Sequence, residues 1–207
     1  TEGLQAELDA ALAEIQQNHS TYETEEAYNQ ALANARATIQ FKQWRNKCYQ
    51  DTYEPGSTFK PITAVAALET GVLSPTDTIT CTGLYDEIAQ PIKCWIWPGR
   101  HNSENIEEGI QNSCNYFFAE LAHRLCMKPD GTYSPDQGLT TLRKYASMFG
   151  LDHTSGVEIP ENDPQISSED PERSAMGQGT HSYTNVQLSR YVAALANRGN
   201  VFELSLL

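Results

Sequence analysis

Residues 54–71 read EPGSTFKPITAVAALETG, and Pro61 fixes how that run folds. Proline in a helix interior costs roughly 3 kcal/mol, because it lacks an N–H and its ring crowds the preceding turn; in the first turn it costs little. After Gly56 the run TFKPITAVAALET is helix-compatible, with Pro61 tolerated if it falls in the first turn. Ser57 then lies at the helix N-terminus, with Lys60 one turn later on the same face. The positive end of the helix dipole faces the serine, and its backbone N–H can point at a developing oxyanion. A serine hydroxyl needs a base to act as a nucleophile at neutral pH. Lysine serves as that base when its pKa falls, which burial beside Phe59 and Ile62 favours. The ordinary alternative is a capping serine with a solvated lysine, and S-x-x-K alone is a weak signal.

A second constellation lies in GIQNSCNYFFAELAHRL, residues 109–125. Ser113-Cys114-Asn115 stands at the start of an apolar helix. Ser113 can relay a proton, and Asn115 can bond both Lys60 and a substrate amide. Taken alone, this stretch reads as a capping serine followed by a turn asparagine.

The remaining sequence sets the frame. A net charge of −13 with scattered basic residues argues against nucleic acid as a partner. No apolar run approaches the length of a membrane span, and the polar start TEGLQAELDA is no signal peptide, so any anchor is expected outside this chain. Residues 1–48 read as two packing helices: Leu4, Leu8, Leu12 and Ile15 form one stripe, and Tyr28, Leu32, Ala35 and Ile39 a second. Ser20 and Glu23 can form a capping box between them. Residues 127–207 read as helix, loop, helix. The first helix spans Leu139 to Phe149, and the last is opened by a Thr184/Gln187 capping box and stopped at Gly199.

Taken together, EPGSTFKP and SCN resemble the nucleophile and S-x-N motifs of the penicillin-binding protein transpeptidase domain. FGLDHTSGVEIPE and SAMGQGTHSYTNVQLSRYVAALANRG are similar to further family segments, so the resemblance covers most of residues 49–204. In detail the chain resembles class B, monofunctional enzymes of a Gram-positive, clostridial type. The resemblance implies an α+β serine β-lactamase/transpeptidase-like fold, here a helix-rich fragment lacking most of the central sheet. Residues 1–48 would be a helical N-terminal segment and 49–207 a partial transpeptidase domain. It further implies Ser57 as nucleophile, Lys60 as base, Ser113 and Asn115 as catalytic partners, and no catalytic cofactor. The implied reaction is acyl transfer at D-Ala-D-Ala termini of peptidoglycan stem peptides, on the extracytoplasmic face of the membrane, with β-lactams trapping the same serine. Cell-wall synthesis partners such as a glycosyltransferase follow from the same resemblance. Two departures stand out: the family's K-T-G motif and the strands that precede S-x-x-K are absent from this text. A chain without the K-T-G strand is expected to lack a complete oxyanion hole and to be inactive alone. A β-lactamase or β-lactam sensor of the same fold, and a non-catalytic scaffold in a wall-synthesis complex, are the alternative readings.

Five cysteines exclude a fully paired disulfide framework. Cys81, Cys94, His101 and Cys114 are spaced C-x12-C-x6-H-x12-C, a donor set that zinc accepts tetrahedrally in a structural role. Because Cys114 is the middle residue of SCN, a metal there would fix the backbone between Ser113 and Asn115. The resemblance adds that some class B enzymes place a metal-binding cluster beside this motif. The rival is a Cys81–Cys94 disulfide, consistent with an extracytoplasmic location. Cys48 and Cys126 have no role in either scheme.

Overall fold

The computed structural model describes residues 2–207, which form two compact units divided between Asn46 and Lys47. The first unit is a helical hairpin of α1 (Glu2–Gln17) and α2 (Glu25–Trp44), with Lys42 paired to Glu7 across it. The Ser20/Glu23 capping box does not form. His19–Thr21 make a 3-10 turn, and Thr24 caps α2 instead, its hydroxyl accepting from the Ala27 N–H at 3.1 Å. Glu25 and Glu26 then fill the first turn, where the helix dipole favours carboxylates.

The second unit opens with α3 (Lys47–Gln50) and β1 (Thr52–Tyr53), then runs through a 3-10 turn (Gly56–Phe59) directly into α4 (Lys60–Thr70). Next come β2 (Ile79–Cys81), β3 (Leu84–Tyr85), β4 (Ile92–Lys93) and β5 (Asn102–Glu104), followed by α5 (Ile106–Gln111) and α6 (Asn115–Cys126). The chain continues with α7 (Pro135–Met148), α8 (Pro171–Ser174), β6 (Tyr183–Thr184) and α9 (Asn185–Ala196). The strands form three antiparallel pairs, β1–β6, β2–β5 and β3–β4. Helix dominates and no larger sheet forms among the described residues. Pro135 opens α7 four residues before the apolar periodicity begins, using its preset φ in the first turn. The Thr184/Gln187 capping box opens α9, with both reciprocal bonds made.

The core explains why α4 is rigid. One cluster gathers Tyr85, Phe117, Phe118 and Leu121 with Ala64 and Ala67 of α4. The other gathers Leu142, Tyr145, Tyr183 and Tyr191 with Ile62 and Ala66 of α4, and with Phe59 just before it. Opposite faces of the same helix are thus buried in two cores. Each fully buried large apolar side chain stabilises the fold by about 1.5–3 kcal/mol, so rotating α4 would forfeit contacts on both sides.

A backbone contact fixes the helix entry. Gly56, at φ +54°, donates its N–H to the Gly177 carbonyl at 2.9 Å. A Cβ on Gly177, itself at φ +78°, would lie 2.0 Å from the Gly56 carbonyl oxygen. Glycine is therefore required there on both conformational and steric grounds. Gly177→Ala is expected to destabilise the protein by about 1–3 kcal/mol, and to lower penicillin labelling beyond what the fall in melting temperature explains, because the clash displaces the residue before Ser57. Labelling that simply tracks the folded fraction would show that the contact serves stability alone.

Candidate active site

Ser57 is exposed in the 3-10 turn, and Lys60 begins α4 with only 2% of its surface accessible. The Lys60 Nζ lies 3.1 Å from Ser57 Oγ, 2.9 Å from Ser113 Oγ, 2.8 Å from the Ser113 carbonyl and 2.7 Å from Asn115 Oδ1. The Ser113 hydroxyl also reaches Ser57 Oγ at 2.9 Å. All four residues singled out in the sequence therefore meet at one nitrogen. Ser57 Oγ thus contacts the Lys60 amine both directly and through the Ser113 hydroxyl. The Phe118 ring lies 5.6 Å from the amine.

Ser113 sits at φ +50°, the left-handed region that non-glycine residues rarely adopt. This conformation turns both its hydroxyl and its carbonyl toward Lys60. The cap of α6 is Cys114, not serine: its Sγ accepts from the Phe117 N–H at 3.4 Å. Asn115 becomes the first helical residue, held with Lys60 on one side and its Nδ2 3.5 Å from the Lys93 carbonyl on the other.

Burial pushes the Lys60 pKa down to about 8, against an opposing contribution from the Cys114 and Cys94 sulfurs. At pH 7 a pKa near 8 leaves about 10% of the amine neutral, some 300-fold more than an ordinary lysine. The acylation rate is expected to climb about tenfold per pH unit below 8 and to level off above it. A pH-independent second-order rate constant for penicillin between pH 6 and 9.5 would contradict a lysine base. The unfolded chain binds this proton up to its ordinary pKa, so the Lys60 contribution to stability rises with pH above about 8.

Behind the serine–lysine pair, Cys81, Cys94, His101 and Cys114 converge, with one donor atom from each lying within 4.8 Å of the others. The Cys94 and Cys114 sulfurs are 3.9 Å apart, and Cys94 Sγ is 3.5 Å from His101 Nδ1. Tetrahedral zinc requires edges of about 3.8 Å between sulfurs and about 3.6 Å between sulfur and nitrogen. All three cysteines are buried and free; no disulfide joins Cys81 to Cys94. The Cys94–Cys114 contact holds the Cys94 thiol well below its ordinary pKa and pushes Cys114 well above it, so the pair shares one negative charge as a thiolate on Cys94. Glu104 stands beside them on β5. Its Oε1 accepts from Asn112 at 2.7 Å, while its buried Oε2, like the buried His101 Nε2, has no hydrogen-bond partner.

The model of the penicillin-binding protein transpeptidase domain matches residues 12–207. The chain belongs to this family. Among curated relatives, stage V sporulation protein D of Bacillus subtilis is 31% identical over 166 residues, covering 76% of this chain and 24% of that protein. Peptidoglycan D,D-transpeptidase MrdA of Escherichia coli is 25% identical over 175 residues, covering 75% of this chain and 25% of that protein. The chain thus spans about a quarter of the length of these relatives. A solved peptidoglycan synthase complex, described as coordinating polymerization and crosslinking, contains a chain that matches with TM-score 0.70 at 25% identity, over 84% of this chain and 30% of that one. Class B membership and the helix-rich transpeptidase fold agree with these likenesses.

Some residues around Ser57 and the cysteine cluster carried no sequence signal. Glu104 lies three residues after His101 on a short strand, where an acidic residue reads as surface. Tyr191, whose hydroxyl donates to the Thr58 carbonyl at 2.9 Å, and Gly177 reach the turn that carries Ser57 from more than a hundred residues away. No described helix is long and apolar enough to cross a membrane.

Proposed function

We propose that this chain carries the acylating serine of a peptidoglycan D,D-transpeptidase. The observation that supports it best is the buried Lys60 amine, with Ser57, Ser113 and Asn115 all within 3.1 Å. Ser57 Oγ attacks the penultimate carbonyl of a D-Ala-D-Ala terminus as its proton passes to Lys60, directly or through Ser113. Collapse of the tetrahedral adduct breaks the C–N bond, and the departing D-alanine takes that proton onto its nitrogen. The amine of a neighbouring stem peptide then attacks the Ser57 ester. It forms the cross-link and gives its proton back through Lys60 to Ser57 Oγ. Asn115 accepts from Lys60 and offers its amide to the substrate backbone. A β-lactam acylates the same oxygen, and no cofactor takes part in these steps.

In this reading Cys81, Cys94, His101 and Cys114 hold a zinc ion whose role is structural: four protein donors leave no open position for substrate. By gripping Cys114 they fix the backbone that presents Ser113 and Asn115. The site works outside the cytoplasmic membrane, beside the glycosyltransferase that polymerises the glycan. The test is D-alanine release from a D-Ala-D-Ala pentapeptide by the protein of full natural length. Ser57→Ala is expected to abolish release with the melting temperature unchanged. Release that persists in the variant would remove Ser57 from the mechanism.

A further inference from the structure

A cavity of about 690 Å³ lies between α6, the start of α7, α8 and the turn joining β3 to β4, apart from the serine, lysine and cysteine residues described above. Its size suits a small organic ligand or one extended side chain. Much of the wall is apolar, with Ile88, Pro135 and Pro171 contributing. Among the polar lining residues, Glu172 is only 2% exposed. Its Oε1 accepts from the Tyr133 hydroxyl at 2.9 Å and lies 3.4 Å from His123 Nδ1. The His123 and Tyr133 rings stack at 5.0 Å, fixing both donors. No described residue bonds the second oxygen, Oε2.

With no described protein donor on it, that oxygen is left to accept from whatever occupies the cavity. Of the basic groups in the wall, His123 already faces Oε1 at 3.4 Å. Arg173 is occupied, with Nη1 on Asp170 at 2.7 Å and Nη2 on the Gln90 carbonyl at 3.1 Å. The second of these bonds links α8 to the β3–β4 turn. Glu87 adds a further carboxylate at the rim. Inside a chain of net charge −13, the local and overall fields both favour a positive ligand.

We infer that this cavity binds an organic cation: an ammonium group on an aliphatic stem, with the ammonium on Glu172 Oε2 and the stem along Ile88, Pro135 and Pro171. A free alkylamine and a lysine-type side chain of a peptide both carry this chemistry. The inference does not depend on the acyl-transfer chemistry at Ser57.

The test is calorimetric titration at pH 8 with four probes: hexylammonium, its neutral isostere hexan-1-ol, N-acetyl-lysine amide and N-acetyl-norleucine amide. At least one ammonium probe is expected to bind saturably and at least tenfold more tightly than its neutral partner. The tighter of the two identifies the source as a small amine or a peptide side chain. Glu172→Gln, which keeps an acceptor for Tyr133 and His123, should weaken the ammonium probe at least tenfold and leave the neutral one unchanged. Ala89→Trp, at the exposed rim, should block binding with the circular dichroism spectrum unaltered, and it serves if the Glu172 variant misfolds. Absence of saturable binding, neutral probes binding as tightly as charged ones, or an ammonium affinity indifferent to these variants would overturn the site.

Discussion

Lys60→Met is expected to slow acylation by benzylpenicillin by a factor of about 10²–10⁴, the range supplied by one positioned general base. Methionine roughly keeps the buried volume and removes the amine that now contacts Ser57 Oγ, Ser113 Oγ, the Ser113 carbonyl and Asn115 Oδ1. The fold should survive, with a loss of about 1–3 kcal/mol for the acceptors left unsatisfied. Lys60→Arg separates the base from the hydrogen bonder. Guanidinium keeps the charge and offers more donors, but it does not deprotonate in proteins. It should be nearly as slow as methionine. Stopped-flow acylation rates measure both variants, and an arginine variant within a few-fold of wild type would mean that Lys60 works by orienting Ser57 and Asn115 rather than by taking the proton.

Stripping metal from the cysteine–histidine cluster is expected to have the largest effect on stability. An ion present at a thousand times its Kd stabilises the folded state by about 4 kcal/mol, which for a protein of this size corresponds to a fall of roughly 8–16 °C in melting temperature on its removal. Protein purified without chelator should contain one zinc per chain. Cys114→Ser should lose that zinc, melt earlier and acylate more slowly, because Cys114 also caps α6 between Ser113 and Asn115. Cys48→Ser, at an exposed cysteine outside the cluster, should leave zinc content unchanged. Elemental analysis with calorimetry reads both outcomes. Purified protein free of zinc, or a melting temperature indifferent to chelation, would contradict the metal assignment.

The parts of the site that were legible in the sequence are local. The spacing puts Ser57 and Lys60 one turn apart, but the helix expected to start after Gly56 begins at Lys60, and a 3-10 turn carries Gly56–Phe59 with Ser57 in it. SCN announced a helix start, and the spacing of three cysteines and a histidine proposed a cluster that the fold does gather. What stayed hidden depends on tertiary contact or on backbone choices without a residue signature. Serine is no marker for φ +50°, so the turn that aims two Ser113 oxygens at Lys60 could not be read. Ser113 looked like the cap of α6 because serine caps better than cysteine; burial of Cys114 among its partners gave its sulfur that position instead. Ser20 looked like the cap of α2, but Thr24 sits directly before two glutamates and takes the role. Gly177 read as one of several loop glycines, and its demand for a missing Cβ exists only because Gly56 presses against it. Glu172 follows a proline in an acidic loop and reads as solvated, yet α6 and α7 bury it.

Acylation at Ser57, with Lys60 as its base, leaves a covalent mark on one peptide. Peptide mapping by mass spectrometry, after brief exposure of the protein of full natural length to benzylpenicillin, tests it most directly. The account predicts a single penicilloyl adduct on the peptide that contains Ser57, absent from Ser57→Ala and strongly reduced in Lys60→Met after the same short exposure. An adduct on Ser113 or any other residue, or one that survives in Ser57→Ala, would contradict it.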